Sequence, residues 1–469
     1  MTDVAVSGAP GTWPCDDYGD WKCGGSTRVR KIATAILGLL AGVALAPPSA
    51  HAELTIEITQ GVTDPIPIAV VPLGWQGVGN PPFDVAKVVA SDLQSSGLFR
   101  PMERGNMVEL PTRGSEVDLD DWRMLRQDFV VVGRLDTEGD GRYAIHFEVL
   151  NALNGQRLLE YRQPATLRNM RAASHRVSDL IFERLTGIRG AFSTRIAYVE
   201  VEGPPTSRTY KLVVADADGE NRFPITESTD PLMSPAWSPD GQSLAYVSFE
   251  GKAASIQTQD LRTGKRARVS ARAGINGAPA WAPDGQRLAL TLSRKDGNVD
   301  IYLLELQSQS LTRLTDDGGI DTEPAWTPDG KSLYFTSDRS GSPQVYRIAA
   351  AAGQRAQRVT FEGTYNARPR LSPDGQQLAL VTLDRGAYCI AVQDLKNGAM
   401  RVLTKGRLDE SPSFAPNGAV LIYGAQEKGR GVLATVSVDG NVRSLLAQQQ
   451  GDVREPVWSP FPRSPVPDT

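Results

Sequence analysis

The sequence predicts an α/β N-terminal domain followed by an all-β six-bladed β-propeller, closed by strands from both ends of the propeller segment. Three observations carry this. The stretch "PAWSPDGQSLAYVS" at 235 recurs at 279, 324, 369 and 412, and truncated as "PVWSP" at 456, at spacings of 44, 45, 45, 43 and 44 residues. That period is the length of a four-stranded propeller blade. The last copy lacks its second strand, and strand patterns without a first strand lie just before the first copy. Residues 53–190 carry no such repeat and mix strand and helix patterns.

Each period supplies four strands. The first two form a hairpin about Ser-Pro-Asp-Gly, in which proline sets φ and glycine accepts a positive φ. A third strand follows, as in "VDIYLLEL", "PQVYRIAA" and "YCIAVQDL", then a fourth, as in "SLTRLT", "AQRVT" and "MRVLT". We label these strands A to D. Alternation and β-branched content suit half-buried antiparallel strands. "TRIAYVEV" at 194, "YKLVVADADG" at 210 and "NRFPIT" have the B, C and D patterns, so the final A strand should pair with them and close the ring without a free edge.

In 53–190, "ELTIEITQ", "IPIAVVPL", "DFVVVGRL" and "RYAIHFEVL" read as strands. Val85, Val88, Val89 and Leu93 share one helical face, with Gly97 as a stop. Asn154-Gly155 supplies a hairpin turn, and a longer helix carries Met170, Ala173, Val177, Leu180, Ile181 and Leu185 on one stripe. The boundary falls near "GIRGAFSTR", where a linker over 187–193 is short enough for a fixed contact between domains, and 461–469 forms a C-terminal tail.

Residues 1–52 read as an N-terminal extension and signal peptide. Arg28, Arg30 and Lys31 precede an apolar run from Ile32 to Ala46, and Ala50-His51-Ala52 is an A-x-A signal for cleavage between Ala52 and Glu53. The run is shorter than the roughly 20 residues of a spanning helix. An exported protein that does not itself span the membrane is expected, starting at Glu53. The unusual 1–28 stretch raises Val29, in place of Met1, as the translation start.

Composition narrows the chemistry. A net charge of −4 and a pI near 5.7 argue against a nucleic-acid binder. Beyond residue 52 the chain has one cysteine, Cys389, among apolar neighbours and read as an inert buried thiol, and two histidines, His146 and His175, both outside the propeller. No G-x-S-x-G elbow occurs, and the residues needed for a zinc cluster are missing. "DADGEN" resembles a calcium loop but lacks its full spacing, and it is also what a C-to-D hairpin turn looks like. Trp237, Trp281, Trp326 and Trp458 stand in phase, with Leu371 and Phe414 at the same position of the other repeats, as wedges between blades would. What varies is the D-to-A loop before each A strand, which gathers Asp321, Glu323, Arg368, Asp409, Glu410, Arg454 and Glu455 at one mouth of the channel.

An exported α/β domain, the junction "SHRVSDLIFERLTGIRGAFSTRIAYV" and six "PAWSPDG"-type hairpins together resemble the TolB family, the periplasmic propeller proteins of the Tol-Pal system, over essentially all of 53–460. The resemblance implies a non-enzymatic adaptor without cofactor or metal. Its implied partners are the lipoprotein Pal and TolA, with further outer-membrane or peptidoglycan-associated proteins, and its implied roles are outer-membrane integrity and cell division. The family's TolA-binding segment corresponds here to 53–61, with Glu53, Leu54, Thr55, Ile56, Glu57 and Ile58 as its implied binding residues. Such a segment can add to a partner sheet or serve as a first strand, and alternation between the two would make it a switch. The Pal-facing loops correspond to Ile275, Asn276, Ala278, Thr322 and Glu323; Ile275 stands where the family can place a basic or polar residue. The alternative is a periplasmic propeller enzyme or a peptidase-associated propeller of the prolyl-oligopeptidase type, which shares the "SPDG" hairpin. It would need acid and base groups around a channel that has no histidine.

Overall fold

A computed structural model describes residues 56–58, 65–446 and 451–462, the first of these as backbone only. The signal peptide, its cleavage site, Glu53, Leu54, Thr55, 59–61 and most of the C-terminal tail lie outside the described residues.

The N-terminal sheet runs β4 (Phe99–Pro101), β2 (Ile66–Val70), β5 (Phe129–Gly139), β6 (Arg142–Asn151) and β7 (Arg157–Thr166), with β3 (Gly74–Trp75) beside β5. Period-2 alternation sends Ile68 and Val70 to one face and Ala69 and Val71 to the other. Helices α1 (Val85–Ser95) and α3 (Met170–Thr186) cover the first face, where Val85, Val89, Leu93, Met170, Val177 and Ile181 meet Ile145, Phe147 and Val149. The opposite face packs on Trp122 of the short α2 (Leu119–Met124). Asp84 caps α1 by accepting from the Lys87 amide at 3.0 Å. Gly97 and Gly187, both at positive φ, end α1 and α3.

Six blades follow, at 232–270, 276–313, 321–358, 366–402 and 409–445 for blades one to five. Blade six joins the C-terminal strand Asp452–Trp458 to β8 (Arg195–Glu202), β9 (Thr209–Asp216) and β10 (Phe223–Ser228). Closure from both ends is observed in the register Asp452↔Val201 to Trp458↔Ile196. The Arg195 amide donates to Ser459 Oγ at 3.0 Å and the Ser459 amide to the Arg195 carbonyl at 2.8 Å. "DADGEN" is the β9–β10 turn, with Gly219 at positive φ and its amide on the Asp216 carbonyl.

The in-phase tryptophans bridge blades. Trp237 of blade one donates Nε1–H to the Val457 carbonyl of blade six at 3.2 Å, and Trp326 of blade three to the Ala280 carbonyl of blade two at 3.1 Å. Trp281 packs among Ala245, Ile256 and Leu288 of blades one and two, and Trp458 among Ile196, Ile422 and Leu433. The hairpin turns interlock as well. A Cβ at Gly285 would lie 3.4 Å from Pro239 Cγ of the preceding blade, one at Gly330 3.6 Å from Pro283, and one at Gly241 3.5 Å from Pro460 across the closure.

Two junctions join the domains. Asp179 on α3 accepts the Phe192 amide at 2.7 Å and the Ser193 amide at 3.3 Å, while Asn417 of blade five donates to the Arg189 carbonyl at 3.0 Å. The short linker is therefore pinned at both ends. The second junction departs from the sequence reading. Strand β1 (Ile56–Ile58) does not join the α/β sheet but pairs antiparallel with Val442–Leu445, the D strand of blade five. A propeller D strand has one unpaired edge, and pairing satisfies its free N–H and C=O groups.

Candidate partner-binding surfaces

Every A strand begins with a bulge. The register slips between Met233 and Ala236, Gly277 and Ala280, Thr322 and Ala325, Ala367 and Arg370, Glu410 and Ser413, and Arg454 and Val457. In each slip sits one non-glycine residue at positive φ, immediately before the A-strand proline: Ser234, Ala278, Glu323, Arg368, Ser411 and Glu455. A residue before proline normally adopts extended backbone, so six left-handed ones mark a conformation imposed by the ring. The sequence reading singled out several of these side chains but missed the backbone. The in-phase X-Pro of the repeat was its only available trace.

The bulge residues bond across blades. Glu323 Oε1 lies 3.0 Å from Arg368 Nε, and its Oε2 accepts the Arg368 amide at 3.0 Å and Thr336 Oγ1 at 2.9 Å. Arg368 also donates to Ser411 Oγ and lies 3.4 Å from Glu410, and Glu455 accepts the Ser234 amide. Burial alone would lower the Arg368 pKa, but Glu410, Glu323 and Glu455 together raise it, so the guanidinium is a permanent cation. Burial raises the Glu455 carboxyl pKa against the pull of Arg368.

Ala278 lies on the A strand of blade two, Asn276–Trp281, with Ile275 just before it, and Thr322 and Glu323 lie on the A strand of blade three, Asp321–Trp326; Thr291 Oγ1 on the B strand of blade two is 3.4 Å from Thr322 Oγ1. Ile275 is 48% exposed. Asn276 is different: it is buried, accepts from Ser270 Oγ and the Arg272 amide, and donates to the Arg272 and Gly274 carbonyls. It holds its loop in shape. Asp321 and Asp409 are likewise buried, bonded to Arg339 and to the Gly406 amide. Of the segment 53–61, Ile56, Glu57 and Ile58 face Ser444, Arg443 and Val442 in register.

Among the described residues the groups that could carry catalysis are few and mostly engaged. Cys389 is buried, and burial with Asp409 and Asp384 pushes its thiol up to about 11. His146 sits 3.5 Å from Asp136. Among the described residues one group, Asp92, His175 and Asp218, brings ligand-type atoms within 4.8 Å of one another, and Arg171 already bonds the carboxylates of Asp216 and Asp218 there. No described helix is long and apolar enough to cross a membrane.

A family model described as the TolB beta propeller domain matches residues 182–462, and one described as the TolB amino-terminal domain matches 54–158. The chain belongs to the TolB family. The Tol-Pal system protein TolB of Thioalkalivibrio sulfidiphilus is 53% identical over 428 residues, 91% of this chain and 98% of that one. The protein of the same name from Xanthomonas oryzae pv. oryzae is 50% identical over 425 residues, 89% and 96%. The crystal structure of TolB from Acinetobacter baumannii is 40% identical, with a TM-score of 0.79, over 87% of this chain and all of that one. As a TolB-family propeller the protein is not an enzyme.

Proposed function

We propose that this protein is a periplasmic adaptor of the Tol-Pal system. It binds Pal through the D-to-A loop face of blades two and three and TolA through segment 53–61, and it supports outer-membrane integrity and cell division. The observation that carries this reading is the near full-length identity, spanning both domains, to relatives named Tol-Pal system protein TolB. Exposed Ile275 beside Ala278, Thr322 and Glu323 offers an apolar contact next to a polar one, and Asn276 shapes the loop that presents them. The backbone of Ile56–Ile58, paired with a blade edge, is of the kind that could exchange onto a partner's sheet.

Ile275→Glu, which sets a carboxylate where the family can place a basic side chain, tests the Pal surface with little risk to the fold, because only the backbone of this exposed residue is bonded, its amide to Ser293 Oγ at 2.7 Å and its carbonyl to the Ser293 amide at 3.1 Å. In a pull-down from envelope extract the mature protein should retain Pal. The variant should retain at least about tenfold less, the scale of losing one central contact. Equal retention by the two proteins would refute the assignment.

A further inference from the structure

The α/β domain and the propeller meet at a buried cluster of charge. His175 on α3 is 2% exposed, and its Nδ1 lies 2.8 Å from Oδ2 of Asp92 on α1, equally buried. The same Asp92 oxygen accepts from Ser178 Oγ. Among the described residues His175 Nε2 has no hydrogen-bond partner, and it points out of the domain, 3.8 Å from Oδ2 of both Asp216 and Asp218 in the β9–β10 turn. Arg171, one helical turn earlier, reaches those two carboxylates, with Nε 3.1 Å from Asp216. Among the described residues the remaining charges facing the cluster are Asp179 on α3 and Arg195 on β8, the register partner of Asp216.

A neutral imidazole has one N–H and one lone pair, so here it would turn the lone pair on a carboxylate whichever tautomer formed. An imidazolium donates on both sides. We propose that His175 is a protonated bridge between the domains, donating Nδ1–H to Asp92 and directing Nε2–H at Asp216 and Asp218, and that with Arg171 it latches the α/β domain onto blade six. Burial would lower the imidazole pKa, but Asp92, Asp216 and Asp218 outweigh it and push it up to about 10. A metal ion is a poorer occupant, because the oxygens facing Nε2 already hold a guanidinium.

The latch reaches the N-terminal strand through α1. Asp92 lies in the last turn of that helix, and at Gly97, just beyond it, a Cβ would lie 2.2 Å from Val442 Cγ2. Val442 begins the strand on which β1 lies. The latch thus fixes the helix end packed against that strand, and its loss should loosen β1. The value of this gate to a partner rests on the reading of 53–61 as the TolA segment.

Imidazole NMR on the mature chain, which has two histidines, tests the latch. His175 should keep its imidazolium signature to about pH 9, and Asp216→Asn with Asp218→Asn on the propeller side should bring its midpoint down by about two units. A midpoint near 6.5 in the unaltered protein, one unmoved by the double substitution, or resonances that shift on adding zinc chloride would overturn the proposal. In His175→Gln, amides of 216–220 and 442–445 should exchange with deuterium about tenfold faster while blades two and three stay unchanged. Unchanged exchange at 442–445, or equal acceleration in every blade, would contradict it. If that variant does not fold, Asp218→Asn carries the same exchange measurement. Neither readout uses TolA or Pal, so failure here is distinct from failure of the partner assignment.

Discussion

Trp326 illustrates how single residues hold the ring. Its indole fills the seam between blades two and three and its Nε1 bonds the Ala280 carbonyl. Trp326→Ala removes both, and the cavity should cost about 3–5 kcal/mol, measured by urea unfolding. The same position was readable from the repeat alone, because a large apolar position that recurs in phase in every blade serves the ring and not one site. His175 was not readable in this way. Its partners Asp92, Asp216 and Asp218 lie some 40 to 80 residues away, and no local pattern announces them. Because the folded pKa of His175 is raised, its contribution to stability is full below about pH 6.5, the unfolded value, and is lost as pH rises through about 10. The stability difference between the protein and His175→Gln should therefore shrink from pH 6 to pH 10 in thermal unfolding. A difference that grows would reverse the assignment.

At the scale of elements, the Ser-Pro-Asp-Gly hairpins both turn the chain and interlock neighbouring blades. Gly285 has a φ of +70°, so any side chain there is strained, and its Cβ would already touch Pro239 at 3.4 Å, leaving the methyls of a valine to find room beside it. Gly285→Val should destabilise by about 1–3 kcal/mol in the same unfolding assay, and Gln286→Val, beside it, by much less. The strands of this hairpin, the helix stripes and the two-ended closure were legible because hydrophobic period and turn chemistry are local. The bulges were not, since a residue before proline is expected to be extended, and the ring overrides that preference at Glu323 and Arg368. Nor was the pairing of β1 with Val442–Leu445. Edge pairing uses backbone groups that every sequence has, so "ELTIEITQ" reads as a strand without saying whose sheet it joins.

At the scale of the whole molecule, the structure separates two surfaces. The loop face of blades two and three presents Ile275, Ala278, Thr322 and Glu323, while the segment that includes Ile56–Ile58 lies on the outer edge of blade five. An adaptor that joins two partners needs such separate contacts. In the proposed assignment each can be removed alone: Ile275→Glu at the loop face, deletion of 53–61 at the edge. The direct test is calorimetric titration of the mature protein, Ile275→Glu and the deletion with purified TolA and with purified Pal. The account predicts that the deletion abolishes TolA binding and leaves Pal binding intact or tighter, while Ile275→Glu weakens Pal and spares TolA. Undiminished TolA affinity in the deletion would contradict it.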